Sequence, residues 1–163
     1  METIIFNLSH GDPRVCARCL AVLPDWFGIP EANKAYALGG TERPMLIARQ
    51  RSEAVGFLSY ELLTPSTVEI YCMAVLPDHQ HRGVGKALFA LLLRTANNLG
   101  AQFLLVKTLG PSNPDSFYAM TRAFYMSLGF VPLAEIPEIW GPENPCLLRV
   151  RPVLPSDPHH QPL

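Results

Sequence analysis

An apolar strand that turns through proline into a glycine-rich helix start constrains this chain more than any other feature. Residues 68–88 are VEIYCMAVLPDHQHRGVGKAL. Gly83 and Gly85 lack side chains, so main-chain amides in the first turn of the helix can come close to an anion, and the helix dipole adds positive charge there. Arg82 and Lys86 add full charges nearby. The segment therefore predicts a diphosphate site.

Two common nucleotide-binding motifs do not fit this segment. A P-loop requires glycine five residues before its Gly-Lys pair and Ser or Thr after it, but this chain has Gln80 and Ala87 there. A dinucleotide-binding motif requires a third glycine where Leu88 stands, and an acidic residue about twenty residues further on. Both classes of site are excluded.

Three motifs occur in order along this chain. They are residues 69–75, EIYCMAV; the pattern Gln80-x-x-Gly83-x-Gly85; and residues 124–130, FYMSLGF. Together they resemble the GNAT superfamily of N-acetyltransferases: the first its fourth strand, the second its acyl-CoA motif, Q/R-x-x-G-x-G/A, and the third a second signature, F-Y-x-x-x-G-F, at the end of a late helix. The resemblance covers residues 53 to 131, and the segments outside it match only in the order of elements.

The resemblance implies an α+β fold, with a central mixed, mostly antiparallel sheet of six to seven strands flanked by about four helices. Apolar periodicity is compatible with that order and predicts a doubly buried strand over residues 102–108 and a long helix over residues 84–99. The apolar face of that helix is formed by Val84, Ala87, Leu88, Leu91, Leu92 and Thr95. We expect residues 1–150 to form a single domain. Residues 151–163 carry four prolines and no periodicity, which predicts a flexible tail.

The implied co-substrate is acetyl-CoA. In the family, strand groups at the positions of Met73 and Val75 contact the acetyl group and the pantetheine arm, and one amide stabilises the oxyanion. The resemblance assigns the diphosphate mainly to main-chain amides. The residues concerned are Gln80, His81, Arg82, Gly83, Val84, Gly85 and Lys86.

Two side chains are candidates for catalysis. Tyr125 matches the family tyrosine that donates a proton to the departing thiolate, and packing in the core is its alternative role. Glu69 is the candidate base, because a lysine-like amine has a pKa near ~10.4 and has to lose a proton before it attacks a thioester. Strand alternation predicts Glu69, Tyr71 and Met73 on one face. Glu69 is alternatively a solvated residue or a salt-bridge partner.

The acceptor is the least defined part of the site. By resemblance, the amine of a small molecule or peptide is bound by the first two helices and the loop before the last strand. Candidate residues are Trp26, Phe27, Tyr71 and Trp140, all of which are also suited to a core. Family members often have asparagine seven residues before the tyrosine, where this chain has Tyr118.

Composition restricts the other function classes. A net charge of −1 in 163 residues argues against nucleic-acid binding. No apolar run reaches the roughly 20 residues that span a bilayer, and residues 1–12 do not resemble a signal peptide, so we expect a cytoplasmic protein without a membrane partner. The four cysteines predict neither a metal site nor a disulfide framework. Relatives commonly form homodimers, and a noncatalytic acyl-CoA sensor is the alternative to an enzyme.

Overall fold

The fold is a seven-stranded sheet covered by helices on both faces. It comes from a computed structural model that describes residues 3–155. Within that range the strands are β1 (Ile5–Ser9), β2 (Met45–Gln50), β3 (Glu53–Thr64), β4 (Thr67–Val75), β5 (Phe103–Leu109), β6 (Val131–Ile136) and β7 (Cys146–Pro152). The α-helices are α1 (Pro13–Ala21), α2 (Pro30–Gly39), α3 (Val84–Asn98), α4 (Ser116–Ser127) and α5 (Pro137–Trp140).

The strand order is β1-β2-β3-β4-β5-β7-β6, and every neighbouring pair is antiparallel except β4 with β5. The predicted mixed, mostly antiparallel α+β fold is confirmed. The expected helix count was about four, and the short helix α5 is the one that the sequence did not reveal. None of the helices in residues 3–155 is long and apolar enough to cross a membrane.

The two faces of the sheet have separate apolar cores. Helix α3 packs on one face, where Leu88 and Leu92 are fully buried together with Tyr125 of α4. Helix α1 packs on the other, around Cys16, Cys19 and Leu20. Burial of each large apolar side chain contributes roughly 1.5–3 kcal/mol.

Helix starts follow their capping residues. The Asp12 carboxylate accepts a hydrogen bond from the Val15 amide at 3.2 Å, with proline in the first turn of α1. Asp115 caps α4 in the same way, accepting from the Tyr118 amide at 2.9 Å. Gly83 precedes α3 without a side-chain cap, so the amides at this helix start remain available.

The buried stripe of α3 is rotated relative to our expectation. Phe89, Leu93 and Ala96 are buried, whereas Ala87, Leu91 and Thr95, which we placed on the buried face, are only half-buried. The reason is that the helix packs against more than the sheet: the Phe89 ring meets the Phe130 ring at 5.8 Å, edge to face. The contact with Phe130 turns the helix toward the end of α4.

The end of the domain also differs from the predicted boundary. β7 continues to Pro152, and Arg151 is buried and paired with Leu104 of β5, so the proposed tail begins at least two residues too early. The sequence suggested a tail because prolines are frequent there, but the first of them ends a strand. Residues 156–163 lie outside the described residues.

Candidate active site

A cavity of about 480 Å³ lies where β4 and β5 diverge. Their parallel pairing runs only from Thr67 with Phe103 to Ile70 with Val106, although β4 continues to Val75 and β5 to Leu109. Main-chain groups of β4 that point toward β5 beyond Ile70 therefore have no partner in this ladder. Both strands line the cavity beyond the split.

The start of α3 forms one end of the cavity. Gln80, His81, Gly83, Gly85 and Lys86 line it. The first helical hydrogen bond shown runs from the Ala87 amide to the Gly83 carbonyl at 2.9 Å. Amides earlier in the turn have no intrahelical acceptor. This geometry suits an anion, because the unpaired N–H groups and the helix dipole converge at one point.

The remaining two residues of the predicted diphosphate set lie away from the cavity wall. Arg82 is exposed, and Val84 is buried in the core beneath α3. Neither lines the cavity. A contact from either to the diphosphate stays a prediction, and for Val84 it involves the main-chain amide.

The two glycines at this helix start are required for different reasons. Gly83 has a φ of +83°, and a Cβ there would meet nothing within 4 Å, so backbone conformation selects glycine. Gly85 has limited space instead: a Cβ would lie 3.1 Å from Phe124 Cζ and 3.3 Å from Met73 Cε. Gly85 therefore allows α3, α4 and β4 to approach one another beside the cavity.

Gln80 joins the loop to the end of β4. Its side-chain Nε2 donates to the Val75 carbonyl at 3.0 Å. This bond ties the helix start to the cavity-lining strand, because the 3₁₀ turn Pro77–His79 lies between them. Gln80 thus positions the predicted diphosphate end relative to the predicted acyl end.

A bulge in β4 changes the predicted alternation of side chains. Ser59 pairs with Cys72 and Tyr60 pairs with Ile70, so Tyr71 is an extra residue on β4. Met73 packs with the core beneath α3, whereas Tyr71 packs with the core beneath α1. The prediction that Tyr71 and Met73 share a face is wrong, because an inserted residue inverts the alternation beyond it. Met73, Val75 and Tyr71 nevertheless all line the cavity.

Tyr125 is almost completely buried on the wall of the cavity, 5% exposed. The hydrogen bond shown for its hydroxyl is a long one, 3.9 Å to Met73 Sδ. Sulfur is a weak acceptor, which leaves the phenol able to donate to a better one. Burial raises the pKa of the Tyr125 phenol above its ordinary value. The phenol is therefore protonated at neutral pH.

Two buried arginines of β7 hold the end of the tyrosine's helix. Arg151 Nη1 donates to the Leu128 carbonyl at 2.7 Å, and Arg149 Nη2 donates to the Phe130 carbonyl at 3.2 Å. Positive charge at a helix C-terminus complements its dipole. Tyr125 lies in the last turn of α4, so these contacts hold the helix end that carries it.

Glu69 is buried and makes an ion pair. Its Oε1 lies 2.8 Å from Nζ of Lys107, and its side chain is only 4% exposed against 33% for Lys107. Lys107 lines the cavity and Glu69 does not. Of the roles left open by the sequence, the geometry favours the salt-bridge partner, and the base role stays a prediction.

All four candidate acceptor residues line the cavity: Trp26, Phe27, Tyr71 and Trp140. Trp26 is joined to α4 by two hydrogen bonds. Its Nε1 donates to the Phe117 carbonyl at 3.1 Å, and the Tyr118 hydroxyl donates to the Trp26 carbonyl at 2.7 Å. Tyr118 therefore closes this wall.

Sequence reasoning missed two further polar residues of the cavity, Lys107 and Thr108. Thr108 Oγ1 is buried and has no hydrogen-bond partner among the described residues. The available signal was the end of the apolar run QFLLVKT, where a lysine and a threonine follow five mostly apolar residues. A polar pair at the end of a buried strand indicates a site.

Buried phenols and thiols predict alkaline instability. Burial raises the pKa of Cys19 to about 11 and that of Tyr118 to about 12, and it raises those of Tyr36 and Tyr125 as well. A raised pKa in the folded protein gives its full stabilisation below the pKa of the unfolded chain, 9.0 for Cys and 10.0 for Tyr. This contribution is lost as pH rises from those values through the raised pKa of the folded state.

We therefore expect the Tm to fall steadily from about pH 9 upward, beginning at the unfolded thiol value. Thermal melts between pH 7 and 11, with tyrosinate absorbance recorded in parallel, measure this. Tyr118→Phe removes one group whose pKa is raised, so the Tm of this variant should fall less steeply above pH 10 than that of the wild type. A Tm that is constant to pH 11 would contradict the expectation.

Solved structures that share this fold are acetyltransferases. A protein from Desulfovibrio desulfuricans assigned to the GNAT family has a TM-score of 0.78 at 20% identity, over 93% of this chain and 100% of that one. An aminoglycoside 6′-N-acetyltransferase complexed with coenzyme A has 0.69 at 16%, over 92% and 98%. The Salmonella typhimurium protein yncA with acetyl-CoA has 0.63 at 18%, over 92% and 95%. At these identities the likeness establishes the fold.

The fold and the cavity at the split of β4 and β5 thus define an acetyltransferase-like domain. No curated protein sequence matches this chain. The model of the Acetyltransferase (GNAT) family matches residues 14–130. The chain belongs to the GNAT acetyltransferase family.

Proposed function

We propose that this protein transfers the acetyl group of acetyl-CoA to a primary amine by direct attack in a ternary complex. The observation that carries the proposal is that the α3 start and the Tyr125 hydroxyl meet in one cavity. One end of that cavity suits a diphosphate, and the cavity wall contains a neutral proton donor. The relatives with coenzyme A or acetyl-CoA support the choice of co-substrate.

The co-substrate enters at the start of α3. Amides from residues 81–86, with Lys86, bind the diphosphate, and the pantetheine arm pairs with the free edge of β4 beyond Ile70. The thioester then lies beside the Met73 main chain and within reach of the Tyr125 hydroxyl. A strand amide at the position of Met73 or Val75 stabilises the oxyanion.

The reaction balances without a covalent enzyme intermediate. The neutral amine attacks the thioester carbon, a C–N bond forms, and collapse of the tetrahedral intermediate breaks the C–S bond. Tyr125 donates its proton to the departing thiolate, and the proton released by the amine nitrogen restores the phenol. The products are the amide and free coenzyme A.

The amine loses its first proton to solvent before it attacks. Aromatic walls and the Lys107 cation disfavour a charged ammonium in the cavity, which lowers the pKa of a bound amine. Activity therefore rises with pH toward the pKa of the acceptor.

Glu69→Gln tests whether the amine loses its proton to solvent or to Glu69. The amide keeps an oxygen for Lys107, so we expect kcat to fall far less than the roughly hundredfold loss that follows removal of a general base. The acidic limb of the pH profile of kcat/KM should stay in place, because it belongs to the amine. A hundredfold loss together with disappearance of that limb would restore Glu69 as the base.

The function itself is tested by calorimetry and by thiol release. We expect acetyl-CoA and coenzyme A to bind with one site per chain and a panel of amines to release coenzyme A. Mass spectrometry of the products would show an added acetyl group on nitrogen. Binding of acetyl-CoA without turnover of any amine would support a noncatalytic acyl-CoA sensor instead of an enzyme. Absence of binding would contradict both functions.

A further inference from the structure

The cavity has two sides, which belong to the two faces of the sheet. Met73, Phe124 and Tyr125 pack with the core beneath α3. Trp26, Phe27, Tyr36 and Tyr71 pack with the core beneath α1, and all of these residues line the same cavity. The cavity therefore continues from one face to the other through the split, and the acceptor approaches from the side opposite the α3 start.

The acceptor side is compact and aromatic. Phe27 and Tyr36 meet edge to face at 6.1 Å, and Tyr36 and Tyr71 at 5.6 Å. The whole cavity is about 480 Å³, and the pantetheine arm and acetyl group occupy part of it. The remaining space suits a small apolar or aromatic body rather than an extended polar one.

The charge that faces this space is positive. Among the described residues that line the cavity there is no Asp or Glu, and Lys107 is the charged residue away from the α3 start. Its partner Glu69 is nine-tenths buried behind it, so the ion pair presents its cationic end to the cavity. Arg43 lies 3.8 Å from the Tyr71 ring centre and is itself paired with Glu61 at 3.0 Å. A polycationic acceptor finds no anionic partner here.

The ion pair with Glu69 does not use all the N–H donors of Lys107. An ammonium group carries three N–H donors, and the ion pair with Glu69 uses one of them. Val106 packs beneath α3. Because successive side chains of a strand point to opposite faces of the sheet, Lys107 lies on the other face, which is the acceptor side. A carboxylate on the acceptor would complete this contact.

Resting on the proposed acetyltransferase function, we infer that the acceptor is an amine that carries a carboxylate beside a compact apolar or aromatic body. An α-amino acid with an aromatic side chain is the simplest example. Lys107 binds the carboxylate, and the aromatic wall binds the body. The amine then points through the split toward the thioester.

The first test measures binding without chemistry. The probe is 3-phenylpropionate, which keeps the ring and the carboxylate but lacks the amine, titrated into the complex with coenzyme A. We expect Lys107→Gln, which retains a donor for Glu69, to weaken binding by at least about tenfold, the value of a charge-assisted hydrogen bond. Lys34→Gln is the matched control, the same substitution at an exposed lysine of α2 that does not line the cavity, and it should leave this probe's affinity unchanged.

The second test compares initial rates with acetyl-CoA. L-phenylalanine should exceed 2-phenylethylamine in kcat/KM by at least about tenfold, and Lys107→Gln should remove the difference. Preference for L-phenylalaninamide would point to peptide N-termini, and preference for spermidine to polyamines; either overturns the inference while the acetyltransferase stands. Probe binding that depends on Lys107, with no turnover of any amine, would contradict the acetyltransferase function but support the carboxylate site at Lys107. Equal probe affinity in wild type and a folded Lys107→Gln overturns the site itself.

Discussion

Tyr125→Phe should lower kcat by roughly a hundredfold, the usual contribution of a positioned proton donor. The phenol lies on the cavity wall, 5% exposed, and its hydroxyl makes only a long contact to Met73 Sδ. Removing the oxygen therefore breaks no strong bond within the described protein. The thiolate then leaves without a donor, while the ring keeps its contacts with Phe124 and Phe130. Steady-state kinetics at saturating acetyl-CoA measure the loss.

Tyr60→Phe is the matched control for this variant. Tyr60 is also a buried tyrosine, 5% exposed, but it lies on β3 and does not line the cavity. We expect kcat to be unchanged there and the Kd for acetyl-CoA to be unchanged in both variants. Because burial raises the pKa of Tyr125, no basic limb from this group should appear in the kcat profile up to pH 9. Unchanged kcat in Tyr125→Phe would show that water or the substrate supplies the proton.

Much of the fold could be predicted, because its strongest signals are local. β4, the proline turn and the glycine-rich start of α3 are adjacent in sequence, and each obeys a rule of backbone geometry. Helix α5 could not be predicted, since four residues are too few to show a periodicity. The rotation of α3 toward Phe130 depends on a contact between residues 41 positions apart, which no local pattern contains.

The candidate site also has one part that local sequence predicts and one part that depends on long-range contacts. Its diphosphate end is continuous in sequence, so motif spacing found it. The Glu69–Lys107 pair joins two strands, and the bulge at Tyr71 arises from register with β3. Alternation within one strand cannot reveal an extra residue against its neighbour. The acceptor side depends on such long-range pairings: the run QFLLVKT marks Lys107 as a polar residue at a strand end, but only the pairing with Glu69 shows which way its charge faces.

Gly83→Val should raise the Kd for acetyl-CoA by at least about tenfold, because misplacing the helix-start amides removes charge-assisted hydrogen bonds to the diphosphate. Gly83 has a φ of +83°, which a β-branched residue resists, and the variant relaxes by moving the loop. A Cβ there meets nothing within 4 Å, so no side-chain clash contributes. Calorimetry with acetyl-CoA measures the change.

Gly100→Val separates this effect from general strain. Gly100 follows the other end of α3, with a φ of +75° and equally open space around a Cβ. Left-handed backbone costs a non-glycine residue roughly 1–2 kcal/mol, so both variants should lose similar stability in thermal melts. Only Gly83→Val should lose affinity, since only Gly83 borders the cavity. If both bind acetyl-CoA as tightly as the wild type, the diphosphate is held by side chains such as Lys86, and binding should then weaken steeply with salt.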